Sequence, residues 1–235
     1  MKKSSKFKKN YFNIFDKNGY ILFSILAFGI LLIMYSIFYS YEPSDIKQDF
    51  LSLSLWYENN GHLWSDPLFD MYVPFIGSII LCISFFKDYS NNIYEIMTFY
   101  NKGKFNSLVF LKWMLYTSIL VVINVLSSIV YYRCVILNFS SILVLLLRFA
   151  PSILFMNSLA LIVLVFCKNI YVSISLLSIY ITVDLLSSGR YPKIFTLYCN
   201  SFYLKNLQYF YFNRLLLFLL SIIFVLLACR RATKL

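Results

Sequence analysis

Two ionisable residues lie inside long apolar runs of this 235-residue chain. Arg148 follows three leucines, and Asp184 follows the residues YITV. An ionised side chain in an apolar segment is costly, so such residues usually pair or line a polar cavity. Arg148 lies near the start of its run and Asp184 near the end of the next one, so in consecutive membrane spans both lie about 5–12 Å deep from the same side, counted at 1.5 Å per residue. A charge pair between Arg148 and Asp184 is therefore one hypothesis, and separate extension of each side chain to the membrane surface is the alternative.

Other residue patterns that carry chemistry are missing. The phosphate-binding loop G-x-x-x-x-G-K-[ST] does not occur, and neither does the metalloprotease motif H-E-x-x-H. His62 is the single histidine, which excludes a multi-histidine metal site. The five cysteines are scattered without C-x-x-C spacing, which favours a role as small buried hydrophobes. We therefore expect no catalytic residues, no metal site and no enzyme activity in this chain.

The composition places the chain in the membrane-protein class. It has 60% hydrophobic and 13% charged residues, against roughly 45–50% and about 25% in soluble domains. The apolar residues form six runs near the roughly 20 residues that cross a bilayer core. The predicted fold is an all-α integral membrane protein with one transmembrane domain over 1–235. Its predicted spans are 20–41, 68–86, 108–131, 141–166, 170–186 and 212–229.

The basic residues predict the orientation of these spans. The formal net charge is +11, and Lys and Arg collect at both termini and after the second span, whereas the loop 42–67 is acidic. The positive-inside rule then places both termini in the cytoplasm. Because topology explains the charge, no nucleic-acid partner is expected. Residues 1–19 interleave Lys with Phe and Tyr, which predicts an interfacial helix on membrane lipid, with a disordered basic tail as the alternative.

The connection between the second and third spans is the most specific stretch. It reads KDYSNNIYEIMTFYNKGKFNS from position 87. In a helix, Ile93, Met97 and Tyr100 share one face, and Glu95 points away from it. A short cytoplasmic helix of this kind can dock into a groove on a partner protein. A solvated basic connection is the alternative.

Four residues here resemble a motif of the permease subunits of ABC type-2 transporters. Asp88, Glu95, Lys104 and Lys112 follow that family's order: an acidic residue, a polar bend, a second acidic residue, a basic loop and a Lys entering the third span. The chain departs from the family at residues 91–92, where Asn-Asn replaces the usual Gly-Thr, and it has Asn instead of Pro at 101. At the level of layout the resemblance covers the whole chain.

The resemblance implies a specific assembly. Two permease chains, identical or paralogous, each rest on a cytoplasmic ATP-binding subunit that holds ATP and Mg²⁺, so this chain itself binds no cofactor. Residues 1–19 become the interfacial elbow helix, and 187–213 provide short outer helices before the sixth span. An aromatic interface belt is a compatible interpretation of 187–213. The segment 88–104 becomes the coupling helix, with Asp88, Glu95, Tyr100, Lys102 and Lys104 as the ATPase-coupling residues.

The class of cargo rests on the same resemblance. Small size, minimal loops, an aromatic lining and an AT-rich bacterial composition are similar to permeases of the bacterial cytoplasmic membrane that export hydrophobic or amphipathic peptides, such as bacteriocins, or protect against them. A permease for a lipid, drug or polysaccharide is one alternative, and a non-transporting immunity or sensor protein is another. A vitamin-importer subunit is disfavoured, because Ala27 and Leu31 do not form its Ala-x-x-x-Ala motif.

Overall fold

The fold is known from a computed structural model, which describes residues 19–38, 68–89, 105–131, 139–187, 189–197 and 207–232. These ranges contain six α-helices and no β-strand. A π-helical turn, Leu68–Tyr72, precedes the second helix, and a 3-10 turn, Lys193–Phe195, lies before the sixth. The helices are α1 (Gly19–Phe38), α2 (Val73–Tyr89), α3 (Phe105–Tyr131), α4 (Phe139–Cys167), α5 (Ile170–Leu186) and α6 (Leu207–Ala232).

Five segments of the described chain are long and apolar enough to cross a membrane, and they involve every α-helix except α5. Helix α5 has 17 residues and is shorter. Large apolar side chains such as Phe23 and Phe38 are exposed, at 73% and 75%, as expected for faces that contact lipid. The chain is therefore an all-helical, multi-pass membrane protein, as predicted, while the count of six spans stays a prediction.

Helix α6 is longer than the span predicted at 212–229. It extends over Leu207–Ala232, because the aromatic residues 209–212 continue the helix instead of ending it. Helix α3 likewise begins at Phe105, before the predicted start at 108. Both helices therefore carry polar side chains, including the residues discussed below, within an otherwise apolar helix.

Helix α4 lies at the centre of the bundle. In its apolar segment Leu145–Cys167, 72% is buried, against 28% for the corresponding segment of α1. Helix α4 packs against α2, α3, α5 and α6. Its side chains Phe149, Ile153 and Met156 are fully buried and belong to the apolar core. Helix α4 is thus the common packing partner of four other helices, and the apolar core of the bundle depends mainly on it.

A two-residue turn joins α4 to α5. Lys168 adopts a left-handed backbone conformation with φ 52°, and its N–H donates to the Leu164 carbonyl at 2.8 Å, which ends α4. Asn169 then caps α5, since its side-chain oxygen accepts from the N–H of Tyr171 at 2.8 Å. The chain reverses direction within this turn, so α5 returns alongside α4.

Helices α2 and α3 run antiparallel and approach closely at a glycine. A Cβ added at Gly77 would lie 3.0 Å from a Leu120 methyl group. Farther along, the rings of Phe69 and Tyr131 meet with centroids 5.3 Å apart. Lower residue numbers on α2 therefore match higher numbers on α3.

The two ends of the bundle differ in their polar contacts. We call the end that includes the α4–α5 turn at Lys168 the turn end. We call the opposite end, which includes Asp70 and Arg148, the ionic end. Helices α4 and α6 run in the same direction between them, because Ser152 contacts Arg214 and Phe166 contacts Arg231.

Candidate functional site

Three charged side chains from three segments meet at the ionic end. Arg148 of α4 donates from Nη2 to Asp70 Oδ2 at 2.8 Å and from Nε to Asp70 Oδ1 at 3.3 Å. Nη2 of Arg214 in α6 lies 3.6 Å from Oδ1 of the same carboxylate. All three residues are at most 3% exposed. We call Asp70, Arg148 and Arg214 the ionic cluster; it links α4 and α6 through a residue that precedes α2.

The backbone around Asp70 departs from α-helical geometry. Asp70 lies in the π-helical turn Leu68–Tyr72. Pro74, in the first turn of α2, has no backbone N–H. The Asp70 carbonyl therefore lacks its usual α-helical donor four residues later. π-helical turns are rare in proteins and occur frequently at functional sites.

Arg214 extends the ionic cluster toward the segment before α6. Its Nη1 donates to Ser152 Oγ at 2.7 Å, and its Nη2 donates to the Leu197 carbonyl at 3.2 Å. The guanidinium also stacks near the Phe210 ring, with its carbon 5.3 Å from the centroid. Arg214 thus joins α4, α6 and the chain at Leu197.

Asp184 holds the same segment from the side of α5. Its carboxylate accepts a hydrogen bond from the Thr196 hydroxyl and another, at 2.8 Å, from the N–H of Leu197. Its backbone carbonyl accepts from the N–H of Gly189 at 2.9 Å. Gly189 has φ 79°, a conformation that favours glycine. The chain therefore leaves α5, turns at Gly189 and returns to the Asp184 side chain.

Two further side chains complete this attachment. Asn213 Nδ2 donates to the carbonyls of Ile194 and Thr196 at 2.6 and 3.1 Å, and the Tyr180 hydroxyl donates to the Phe195 carbonyl. We call residues 189–197 the capping segment. Its Thr196 and Leu197 are buried at 1% and 0% exposure, whereas residues 190, 191 and 193–195 are exposed. The capping segment is therefore anchored in the ionic end at Thr196 and Leu197, and its middle part lies at the surface.

The carboxylate bonded to Arg148 differs from the one named in the sequence analysis. Asp184 was the predicted partner, but the structure places Asp70 on Arg148, and Asp184 accepts from Thr196 and Leu197. The prediction considered only the fourth and fifth apolar runs. Asp70 lies near the start of the predicted second span, 68–86, and in the structure it is completely buried.

A separate buried cation lies in the half of the bundle nearer the turn end. Lys112 of α3 donates from Nζ to the Ser84 carbonyl of α2 at 2.6 Å and lies 4.6 Å from the centroid of the Phe85 ring. Lys112 is only 7% exposed. The contact joins the last part of α2 to the first part of α3, close to where residues 90–104 connect the two helices.

The predicted coupling residues lie mostly beyond the described chain. Asp88 belongs to the last turn of α2, which places its backbone at the turn end. Glu95, Tyr100, Lys102 and Lys104 lie outside the described residues, as do positions 1–18 of the predicted interfacial helix. The coupling role of segment 88–104 therefore stays a prediction.

The ionic cluster and Asp184 hold several helices and the capping segment together. Arg148 and Arg214 balance Asp70 and Asp184 in formal charge, and each is hydrogen-bonded, as buried charges require.

The described residues contain no group of three His, Cys, Asp or Glu side chains that could hold a metal ion. Comparison with protein-family models, curated proteins and solved structures finds no match to this chain.

Sequence reasoning missed Asp70 and Arg214 as site residues, although a signal was present. Both fall within predicted spans, 68–86 and 212–229, where the rule that singled out Arg148 applies equally. Thr196 and Asn213 carried no comparable signal, because an uncharged polar residue near a helix end is ordinary.

Proposed function

We propose that this chain is the membrane-spanning permease subunit of an ATP-driven exporter in a bacterial cytoplasmic membrane. In this proposal the turn end faces the cytoplasm, and six helices cross the membrane with both termini inside. The ATP-binding subunit is a separate protein, and a second permease copy or a paralogue completes the translocation path. The cargo is a hydrophobic or amphipathic peptide.

The observation that carries the proposal is the contact between Lys112 and the Ser84 carbonyl. The segment proposed to contact the ATPase, 88–104, begins on α2 and ends at α3. A displacement of that segment by the ATPase is transmitted to the membrane helices only if the end of α2 and the start of α3 move together. A charge-assisted hydrogen bond of 2.6 Å between α2 and α3 supports this coupling.

The capping segment supports the proposal at the other end of the bundle. Polar contacts from Asp184, Asn213 and Arg214 hold residues 189–197 across the ionic end. An export path needs a closure on its outer side that can open when the helices move. A closure held by hydrogen bonds between α4, α5 and α6 responds directly to their relative displacement.

The proposal is tested by purification of the tagged chain from a bacterium that encodes it. We expect an ATP-binding subunit with a phosphate-binding loop to remain bound, and Glu95→Ala to reduce its recovery and the ATPase activity. Glu58→Ala is the matched control, because it removes the same side chain from the predicted outer loop 42–67. No bound ATPase at all would favour the non-transporting immunity or sensor protein, whereas equal ATPase recovery with both variants would contradict the coupling role of Glu95.

A further inference from the structure

Two buried polar side chains of α3 have hydrogen-bonding atoms without a partner. Asn124 and Ser127 are 0% exposed. Neither the amide nitrogen nor the amide oxygen of Asn124 finds a hydrogen-bond partner in the described structure, and the same holds for the Ser127 hydroxyl. The adjacent Ser128 differs, since its hydroxyl donates to the Val125 carbonyl at 2.8 Å.

These atoms lie at the depth of the ionic cluster. The antiparallel pair of α2 and α3 is in contact at Gly77 with Leu120 and at Phe69 with Tyr131. Interpolated between these two contacts, Asn124 and Ser127 of α3 are level with about residues 74 and 72 of the neighbouring chain. Both therefore lie within about one helical turn of Asp70 along the bundle.

Arg214 supplies another unpartnered atom at this depth. Its Nε is buried and finds no acceptor in the ranges that the structure describes, although its two terminal nitrogens bond Ser152 and Leu197. Thr117 of α3 contacts Asn157 of α4, so Ser152 of the antiparallel α4 is level with about residue 122 of α3. Four unpartnered atoms, from Asn124, Ser127 and Arg214, thus lie at neighbouring depths on α3 and α6, while Trp113 and Asn157 carry one each nearer the turn end.

The chemistry of these atoms selects the kind of ligand. The amide nitrogen of Asn124 and Nε of Arg214 need acceptors, the amide oxygen of Asn124 needs a donor, and the Ser127 hydroxyl can do both. An ion of one sign satisfies only one of these needs. Water donates and accepts, and buried water typically makes about three hydrogen bonds to otherwise unsatisfied groups. Apolar side chains cannot satisfy any of them.

We propose that Asn124 and Ser127 bind one or more water molecules inside the bundle, so that the ionic cluster belongs to a hydrated polar layer that includes α3. This site is independent of any ATPase partner. It predicts that the ionic end is internally wet, although its residues are closed to the bulk solvent.

Ser127 and Ser128 form a matched pair for the first test. Both are fully buried on the same helix, and of the two hydroxyls only that of Ser128 has a partner among the residues that the structure describes. If Ser127 binds water, Ser127→Ala removes a satisfied hydroxyl, and we expect it to lower the unfolding temperature of the lipid-reconstituted chain at least as much as Ser128→Ala. In a dry site the Ser127 hydroxyl has no hydrogen-bond partner and destabilises the folded chain, so its removal would not lower the unfolding temperature. An unchanged or raised unfolding temperature for Ser127→Ala would overturn the proposal.

The second test detects the water directly. In water-edited solid-state NMR of the full chain in lipid, we expect the side-chain amide of Asn124 to gain magnetisation from water sooner than that of Asn213. Asn213 is the control, since its Nδ2 already donates to two carbonyls and it lies only six residues after the start of α6. The side-chain amide signal of Asn124 is assigned by its disappearance in the Asn124→Leu variant. Build-up at Asn124 no faster than at Asn213 would show that the site is dry.

Discussion

The contact between Asp70 and Arg148 makes a quantitative prediction. Two hydrogen bonds of 2.8 and 3.3 Å join them, and both residues are almost fully buried. A hydrogen bond to a charged group contributes about 1.5–3 kcal/mol, and coupling energies in cycles reach about 3 kcal/mol. We therefore expect a coupling energy of about 3 kcal/mol in the cycle of Asp70→Asn and Arg148→Gln. The coupling of Asp70 with Arg214, 3.6 Å away, should be about 1 kcal/mol, because that separation exceeds hydrogen-bond distance.

The assay is the free energy of unfolding in lipid bicelles, measured by steric trapping for each single and double variant. Asp70→Asn alone should cost about 3–5 kcal/mol, since it leaves two buried guanidinium groups without their shared carboxylate. Asp184→Asn combined with Arg148→Gln is the control cycle. Coupling of Arg148 to Asp184 that equals or exceeds its coupling to Asp70 would refute this reasoning.

Three further substitutions test the other contacts of the bundle. Lys112→Met should lower the unfolding free energy by about 1–2 kcal/mol, because it removes a charged donor from a backbone carbonyl of α2; Lys112→Arg can still donate and should lose less. Thr196→Val should cost about 1–2 kcal/mol, since it removes the hydroxyl bonded to Asp184, and faster protease cleavage within residues 189–197 should accompany the loss. Gly77→Val should destabilise by about 1–3 kcal/mol through overpacking, and Leu120→Ala should recover part of this in thermal unfolding, because it removes the methyl groups that the new side chain meets. Full stability of any single variant would contradict the contact that it tests.

The proposed function requires that movements at the turn end of the bundle change the contacts at the ionic end. Helix α4 packs against four other helices and contributes Arg148 to the ionic cluster at one end. Displacement of α4 relative to α6 must therefore change the contacts of Arg214 with Ser152 and Leu197. An exporter requires this kind of link between a cytoplasmic input and an outer closure, and the substitutions above measure its individual contacts.

The amino-acid sequence by itself determined the class of this protein. Long apolar runs with few charges are stable only as helices in lipid, since every backbone group must be hydrogen-bonded internally. That constraint acts locally, so the all-helical architecture and the turn at Lys168 and Asn169 follow from short stretches of sequence. The apolar run around Arg148 indicated only that its charge must either be paired or reach the membrane surface.

The partners of the buried charges were decided only by the tertiary structure. A charge in a span must be satisfied, but sequence does not say which helix supplies the opposite charge, because the choice depends on helix order and rotation. Packing of α4 between α2 and α6 brings Asp70 and Arg214 to Arg148, and leaves Asp184 to hold the capping segment. The same packing buries Asn124 and Ser127 completely, a placement that their residue types alone would not predict.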